Sequence, residues 1–471
     1  MLAALRSPPL ARAAHAAVTR VRPRPRTPLR VQTTLVLLLS LPLASFAVSA
    51  PASAQTPRYA PGRAVAEALA RYEVLASGAD VRPPASRTVV QHGDVYAAAA
   101  TLRRYLAALG DLPRLSPALV GADSVYDDVL VDGVVAFQRR HGLEPDGVIG
   151  PMTMAQMRVP LAHRARQLAS TLARWQQLPD SAPERVVVVN VPAFRLYAFE
   201  RGDSTDWPRL RMNVIVGQAH AGRATPLFSG TMREVVFRPY WDVPSSIARG
   251  ELLPSIRRDP GYLARQHLEI VRGGDHGATV FAPTAGNLAR VASGTLRLRQ
   301  RPGPWNALGG VKLVFPNRYN VYLHGTPAPE LFANIRRDFS HGCVRVEDPT
   351  ALAEWVLELE TGWDSAAIAA AMASGPLSRR VRLSRPIPVH VMYATAVVGD
   401  DGLVRFYPDI YHHDPVPAAA PEPSRAVARE NGRGESRAPA GLDAYPADSL
   451  RASYSSSIGD RGMPPLSCGG W

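Results

Sequence analysis

Cysteine is scarce in this chain of 471 residues, which contains only Cys343 and Cys468. Two cysteines cannot form the network of bridges that stabilises small secreted domains, so a disulfide framework is excluded. Hydrophobic residues make up 46% of the chain, which is enough for an ordinary buried core. Because the chain is too long for one small core, we expect two or more domains.

Lysine is scarcer still, since Lys312 is the only one and every other basic residue is arginine. The formal net charge is +14, but half of it comes from the arginines of residues 1–54, which contain no acidic residue. The remainder of the chain is therefore only mildly basic. It contains no nucleic-acid-binding motif and no His, Cys and Asp residues at metal-ligand spacing, so we expect no nucleic-acid partner, no metal and no cofactor.

Residues 1–54 have the pattern of an export signal. Arginines within residues 20–26 precede an apolar run at residues 35–43, and small residues at 52–54 mark a cleavage site. Pro42 interrupts the apolar run, which is short for a membrane span, so cleavage is favoured over a retained anchor. The residue directly after the cleavage site is Gln55 and not a cysteine, which argues against a lipoprotein anchor. We therefore expect an exported protein of the periplasm or cell envelope, soluble or wall-associated when mature; translation starting further downstream stays open.

A small all-α domain is predicted at residues 90–158. Apolar residues recur at helical spacing over residues 94–106 and 127–141, and Gly142 is suited to end the second helix. Residues 146–150 predict a turn into a further helix. The flanking segments are predicted as a linker or scaffold at residues 55–89 and a connecting helix at residues 159–185.

Residues 186–411 are predicted to form a mostly β domain, because β-branched and aromatic runs alternate with turn residues there. The first predicted strands lie at residues 184–191, 195–199 and 211–217. Residues 247–300 interrupt this pattern as a helical, arginine-rich insertion. Residues 412–471 are rich in Pro, Ala, Arg and Ser, so we expect a disordered tail in which Cys468 is an incidental thiol.

Cys343 lies in the run Ser340-His341-Gly342-Cys343, and His324 lies upstream. A thiolate is the reactive form of cysteine, and a nearby imidazole can take the thiol proton. Gly342 permits a tight backbone that turns its own N–H and that of Cys343 toward a developing oxyanion. We therefore predict Cys343 as a nucleophile and His324 as its base. His341 is the second candidate base, and is equally suited to a structural role in the turn.

The predicted flanking elements hold both motifs in place. Residues 319–323 predict a strand that delivers His324. On the other side of the cysteine, Asp348 is suited to cap a helix and Pro349 to be its first residue.

Two motifs together resemble the signature of the L,D-transpeptidase catalytic domain of bacterial cell-wall enzymes. They are His-Gly-Thr-Pro at residues 324–327 and Ser-His-Gly-Cys-Val-Arg at residues 340–345. Three further segments are similar to the large periplasmic members, so that the resemblance covers about residues 186–410. These segments are residues 237–244, 252–263 and 299–309. Residues 136–143 with the following Asp-Gly-Val-Ile-Gly resemble the peptidoglycan-binding domain of wall hydrolases and transpeptidases.

The resemblance implies a multidomain protein in which a mostly β L,D-transpeptidase catalytic domain with a helical lid insertion follows a small all-α peptidoglycan-binding-like domain. It also implies a reaction on peptidoglycan stem peptides. Cys343 is acylated by a stem tetrapeptide with release of D-Ala, and the acyl group passes to the amine of a diamino acid, giving a 3→3 cross-link. Carbapenem-type inhibitors are expected to acylate Cys343.

The resemblance further implies roles for residues around the nucleophile. The carbonyl of Gly325 orients the catalytic imidazole, and Ser340 supplies a polar group to the turn. Arg345, as in the large periplasmic members, pairs with a substrate carboxylate. Tyr322 and Trp305 either line the pocket or belong to the core.

Several alternatives stay open at this level. The same acyl-enzyme can be resolved by water, by a free D-amino acid or by a lysine of an envelope protein, because these reactions differ only in what reaches the thioester. A non-catalytic wall-binding protein built around residues 90–158 is the rival class, which the intact Cys343 and its two histidines disfavour. Wall binding by residues 90–158 and the oligomeric state also stay open.

Overall fold

The computed structural model describes residues 60–415 apart from residues 79–80, 87, 114–123, 179–182, 202–207, 221, 260 and 275–276. The predicted export signal, Cys468 and nearly all of the predicted tail lie outside the described residues. Within the described ranges, no helix combines the length and the apolar character that crossing a bilayer requires.

Among the described residues, five helices precede the first strand, four lie in an insertion and two follow the cysteine motif. The helices are α1 (Ala60–Ser77), α2 (Ala99–Leu109), α3 (Asp128–Arg140), α4 (Pro151–Arg158), α5 (Leu161–Gln176), α6 (Ser245–Ile247), α7 (Leu253–Arg258), α8 (Tyr262–Arg265), α9 (Ala285–Ala292), α10 (Pro349–Leu357) and α11 (Ser365–Ala373). A π-helical turn, Ala248–Leu252, joins α6 to α7, and a 3-10 turn lies at Pro329–Ala333.

The predicted helix at residues 127–141 is confirmed as α3. Its N-cap is Asp127, whose carboxylate accepts a hydrogen bond from the Leu130 N–H at 3.0 Å. Past its end, Gly142 adopts a φ of +67°, which glycine tolerates without strain. The helix predicted at residues 94–106 begins only at Ala99, because the backbone before it pairs with the segment around Tyr126.

The turn after α3 is held by the buried amide of Gln138. Its Nε2 donates to Asp146 Oδ1 at 2.8 Å, and its Oε1 accepts from the Gly147 N–H at 2.9 Å. Gly147 has a φ of +72°. Asp146 and Gly147 therefore shape the turn, which is the role that the sequence indicates for them.

The segment predicted as a linker or scaffold contains the whole of α1. This helix packs on α5 and buries Val65 and Tyr72. Because both helices contribute to the buried cluster that includes α2 and α3, residues 60–77 are part of the packed helical region.

In the described part of the chain the strands form three sheets. They are β1 (Arg185–Asn190), β2 (Arg195–Glu200), β3 (Leu210–Gly217), β4 (Phe228–Phe237), β5 (Trp241–Asp242), β6 (Leu268–Arg272), β7 (Thr279–Phe281), β8 (Arg297–Gln300), β9 (Val311–Val314), β10 (Leu323–His324), β11 (Asp338–Ser340), β12 (Val344–Val346), β13 (Arg379–Met392), β14 (Ala396–Val398) and β15 (Val404–Phe406). The nine-stranded sheet has the order β11-β3-β12-β10-β9-β4-β13-β1-β2. Because β2 also pairs with β3, this sheet closes on itself.

Strand β1 contributes side chains both to the core of the closed sheet and to the hydrophobic cluster of the helices. All six of its residues are buried, and Val187 and Val189 point into the core of the closed sheet. Val186 and Val188 face the other way and join the cluster of α1 to α5. A strand buried on both faces has no reason to alternate polar and apolar residues, which accounts for its run of four valines.

The insertion, residues 239–309, is an excursion between the antiparallel neighbours β4 and β9. Its two ends meet, since the Arg238 N–H donates to Gly310 O at 2.8 Å. The prediction of a helical segment at residues 247–300 is wrong in two respects. The insertion also contains a sheet of order β5-β8-β6-β7, and it starts earlier because Trp241 pairs with Gln300.

The C-terminal part packs back on both regions. Helix α10 is capped as predicted, because the Asp348 carboxylate accepts from the Ala351 N–H at 2.8 Å and Pro349 is the first helical residue. The tail prediction starts too early. Asp414 accepts from Arg174 of α5 at 2.8 Å, so the chain is still tied to the helical region beyond residue 412.

Candidate active site

The register of three neighbouring strands assembles the candidate catalytic residues. Strand β10 lies between β9 and β12, and His324 pairs with Lys312 on one side and Arg345 on the other. Residues opposite each other in a sheet share a face, as do residues two apart along a strand. The side chains of Lys312, His324 and Arg345 therefore share one face of the sheet. Tyr322 and Cys343 directly precede β10 and β12 and border this face, and the Tyr322 ring contacts that of His324. We call this face, with the two bordering residues, the catalytic face.

The strand that delivers His324 is shorter than predicted. Only residues 323 and 324 are extended, and Asn320 has a φ of +52°. The Asn317 side chain shapes the preceding loop, because its Oδ1 accepts from the Tyr319 N–H and its Nδ2 donates to Val321 O. Local side-chain bonding of this kind replaces the strand pattern at residues 319–322.

Cys343 is buried against the hydrophobic core of the insertion. Its side chain is only 1% exposed, and its Sγ lies 3.8 Å from Asn320 O. It belongs to the same buried cluster as Trp241 and Ile247 of the insertion, against which Tyr322 also packs. The nucleophile predicted from the sequence is therefore covered by the insertion.

His324 has the hydrogen-bonding pattern of a neutral base. It is fully buried, and its Nδ1 lies 2.6 Å from Gly325 O, which can only accept a hydrogen bond. Its Nε2 has no hydrogen-bond partner. Burial, reinforced by the positive charges of Arg345 and Lys312, lowers the pKa of His324 to about 3. At neutral pH the imidazole is uncharged, with the lone pair on Nε2.

His341 is directed toward the insertion. Its Nε2 lies 2.6 Å from Oε1 of Glu251, in the π-helical turn, and Arg223 donates to the same oxygen at 2.8 Å. Burial lowers the pKa of His341, although the neighbouring Glu251 carboxylate opposes that shift. The geometry favours His324 as the base and gives His341 a part in joining the cysteine loop to the insertion.

Ser340 and Gly342 shape the turn before the nucleophile. The Ser340 hydroxyl donates to Cys343 O at 2.5 Å and accepts from the Gly342 N–H at 3.1 Å, while Thr225 donates to Gly342 O at 2.9 Å. Gly342 has a φ of +118°, which explains the need for glycine. Since the Gly342 N–H is already bonded, its predicted availability to an oxyanion is contradicted in this conformation. The corresponding role of the Cys343 N–H stays a prediction.

Of the two predicted aromatic pocket residues, only Tyr322 lies on the catalytic face. Its ring meets that of His324 edge-on, with centroids 5.7 Å apart, and the Lys312 ammonium sits 3.8 Å from its centroid. Trp305 lies elsewhere. It is 41% exposed and stacks on His267 of the insertion at 3.6 Å, so its predicted place in the pocket is not supported.

Two residues of the site, Glu251 and Lys312, were not predicted from the sequence. Glu251 gave no signal, because its partner His341 lies ninety residues away. Lys312 did give one, as the single lysine of an arginine-rich chain, but nothing in its local pattern indicated the catalytic face. In the described part of the chain no three His, Cys, Asp or Glu residues are grouped as a metal site would require.

Residues 184–388 match the family described as "L,D-transpeptidase catalytic domain", and residues 96–157 match the family described as "Putative peptidoglycan binding domain". A curated protein of Haemophilus influenzae named "Putative L,D-transpeptidase" is 32% identical over 254 residues. The match covers 53% of this chain and 48% of the relative, so the chain spans about half the length of that protein.

Solved structures were also matched, among them the following two. An L,D-transpeptidase from Stackebrandtia nassauensis is 14% identical, with a TM-score of 0.24, over 66% of this chain and 96% of that one. A fused Zn-dependent amidase/peptidase/peptidoglycan-binding domain protein from Clostridium acetobutylicum is 10% identical, with a TM-score of 0.17, over 65% of this chain and 100% of that one. Superpositions this weak carry no conclusion for this chain.

Proposed function

The chain carries the catalytic domain of the L,D-transpeptidase family, preceded by a peptidoglycan-binding domain, and on that premise we propose that it cross-links peptidoglycan through an acyl-enzyme on Cys343. One observation supports this most directly. His324 lies on the catalytic face, which Cys343 borders, with Nδ1 fixed by Gly325 O and Nε2 unbonded. A nucleophile needs a base in this state to remove its proton.

In the proposed first step, His324 Nε2 takes the Cys343 proton and the thiolate attacks the carbonyl that joins the diamino acid to the terminal D-Ala. The C–N bond breaks, and His324 returns the proton to the leaving amine. The acyl group remains on Cys343 as a thioester, which divides one difficult step into two easier ones.

In the second step, the side-chain amine of a second stem peptide attacks the thioester carbonyl. His324 accepts the proton that the amine loses, the C–S bond breaks, and the thiolate is released. The product is a 3→3 cross-link. Fixing Nδ1 on a backbone carbonyl keeps the imidazole in one tautomer, so the same Nε2 serves as base and then as acid.

The burial of Cys343 favours an amine acceptor over water. Because the thiol packs within the core of the insertion, the thioester forms where bulk water has little access. Hydrolysis, exchange with a D-amino acid and attachment to an envelope protein are the competing outcomes. Mass spectrometry of digested wall material separates them, since each leaves a different stem-peptide product.

The central test uses purified stem tetrapeptides and the intact mass of the protein after exposure to a carbapenem. We expect a covalent adduct on the wild type and on Cys468→Ala, and neither adduct nor turnover with Cys343→Ala. Turnover by Cys343→Ala within tenfold of the wild type would remove Cys343 from the mechanism. Loss of turnover in Cys468→Ala would instead reveal a function of the C-terminal residues.

We further propose that residues 90–158 hold the enzyme at the wall of the cell envelope. The match of residues 96–157 to a peptidoglycan-binding family supports this role. Co-sedimentation of the protein with isolated wall sacculi tests it. Equal sedimentation of the full chain and of a chain lacking these residues would contradict it, provided that the shortened chain is folded.

A further inference from the structure

Lys312 occupies an unusual position for the only lysine of the chain. It lies directly opposite His324 in the β9–β10 ladder, and its ammonium sits 3.8 Å from the centroid of the Tyr322 ring. The residue is half-buried on the catalytic face. A flexible ammonium has therefore been placed beside the catalytic imidazole in a protein that otherwise uses arginine for positive charge.

No carboxylate of the described residues lies within ion-pairing distance of Lys312, and its contact with the Tyr322 ring is its one polar interaction there. Arginines of the neighbouring insertion, in contrast, form ion pairs with carboxylates. Arg299, for example, pairs with Glu269 at 2.9 Å. Holding a partly desolvated cation without an anion is costly, and a bound anion would offset that cost.

A second positive charge lies on the other side of His324. Arg345 pairs in register with His324 from β12 and is almost completely buried. The base is therefore flanked by Lys312 on one neighbouring strand and Arg345 on the other. These two charges add to burial in lowering the pKa of His324.

We propose that Lys312, together with Arg345, binds a free carboxylate of the substrate next to the amide bond that Cys343 attacks. This inference rests on the proposed function and identifies how its substrate is recognised. A stem tetrapeptide offers such a carboxylate on the terminal D-Ala and, where the diamino acid carries one, on that residue. Both are within a few bonds of the reacting carbonyl.

Carboxylate binding has a consequence for the base. A negative charge between Lys312 and Arg345 offsets the two charges that disfavour protonation of His324. The imidazole then becomes a stronger base only when a carboxylate-bearing substrate is present. In an empty site, burial and the two positive charges keep the His324 imidazole neutral.

The substrate test compares Lys312→Met, Lys312→Arg and a control, Arg318→Gln. Methionine keeps the length of the side chain without its charge, and Arg318 is an exposed cation in the same β9–β10 connection. We expect Lys312→Met to lower kcat/KM for the free-acid tetrapeptide by about tenfold to a hundredfold, the range that a hydrogen bond to a charged group supplies. Lys312→Arg should restore part of that loss, and Arg318→Gln should change little.

Amidated tetrapeptides then identify the carboxylate. One carries an amide at the terminal D-Ala and the other at the diamino acid. With one of these two peptides, kcat/KM should be equal within about twofold for Lys312→Met and the wild type. The carboxylate that is amidated in that peptide is the one that Lys312 binds. If Lys312→Met impairs both amidated peptides as much as the free acid, the proposal is overturned.

An alkylation test separates this inference from the proposed function, because it needs no stem peptide. Iodoacetate carries a carboxylate and iodoacetamide does not, so the ratio of their rates at Cys343 reports attraction by the site. In a Cys468→Ala background we expect Lys312→Met to lower that ratio about fivefold, as for the loss of one partly exposed ion pair. Movement of the insertion changes the rates of alkylation by both reagents equally, so it does not change their ratio. An unchanged ratio would contradict the proposed carboxylate site. If the wild type is alkylated as expected but does not react with stem peptides, the proposed function alone is contradicted.

Discussion

Replacing Glu251 with alanine should loosen the insertion over Cys343. Glu251 is a bridge between two parts of the molecule, since its Oε1 accepts from His341 of the cysteine loop and from Arg223. Alanine removes the acceptor but suits a helical turn. The change therefore breaks the link without disturbing the apolar cluster that buries Cys343.

The size of the effect follows from the two contacts. Arg223 and Glu251 are 34% and 38% exposed, so solvent screens their ion pair to about 0.2–1 kcal/mol. The bond from the more buried His341 to a carboxylate is short, and contributes about 1 kcal/mol or somewhat more. Together the closed insertion should lose about 1–2 kcal/mol. Its open population should then rise about fivefold to thirtyfold.

The assay is alkylation of Cys343 by iodoacetamide in a Cys468→Ala background. A thiol that is 1% exposed reacts only when the insertion opens, so the rate follows the open population. Removing Glu251 also alters the charge near Cys343. The rate is therefore compared on its plateau at high pH, where the thiol is fully ionised and only opening differs.

Asp259→Ala is the matched control. Asp259 pairs with Arg265 within the insertion and does not contact the cysteine loop. Both variants thus remove one carboxylate from the insertion, but only one removes the bridge. A plateau rate for Glu251→Ala no higher than that of Asp259→Ala would refute the role of Glu251 as a link.

Three further outcomes are expected. Carbapenem acylation should slow at least about tenfold more in His324→Ala than in His341→Ala, because only His324 has the geometry of the base, and the reverse order would reverse the assignment. Burial lowers the pKa of His324 to about 3 and that of His141 well below its usual value, so both bind a proton on unfolding below pH 6.5. The free energy of unfolding in urea should therefore fall as the pH drops from 6.5 toward 3, with His324 alone contributing about 2 kcal/mol of that fall at pH 5 and His141 adding to it in the same direction, and equal stability at pH 7.5 and pH 5 would contradict this. Deleting residues 240–308 with a short Gly/Ser bridge should leave Cys343 open to carbapenem and shift stem-peptide products from 3→3 dimers toward hydrolysed tripeptide; an unchanged product ratio in a folded variant would mean that the insertion does not exclude water.

Local patterns in the sequence predicted those parts of the fold that local interactions determine. The cap at Asp348 and the proline after it set the start of α10, and both are within one turn of the residues they affect. The valine run of β1 likewise indicated a strand, although not that both of its faces are buried. Where a side chain offers the backbone other partners, as Asn317 does, the strand pattern failed.

In the insertion, too, the sequence predicted features that local interactions determine but not those that depend on distant residues. Its helices are recognisable as helical segments, but β5 has only two residues, too few to show any period. Its pairing with β8 depends on a partner more than fifty residues further along the chain. The sequence therefore indicated an interruption of the β domain, but neither its sheet nor its true limits.

For the candidate site, the sequence by itself determined the chemistry available: one thiol between polar residues, two histidines, and a glycine where a turn needs a positive φ. Only the tertiary structure distinguishes the two histidines, because the Gly325 carbonyl holds one imidazole and Glu251 of the insertion holds the other, and our proposal of His324 as the base rests on that difference. The tertiary structure also decided that Lys312 and Arg345 flank His324, since strand register sets which side chains share a face. Residue types fix what a group can do, whereas pairing between distant segments fixes its neighbours, its burial and therefore its pKa.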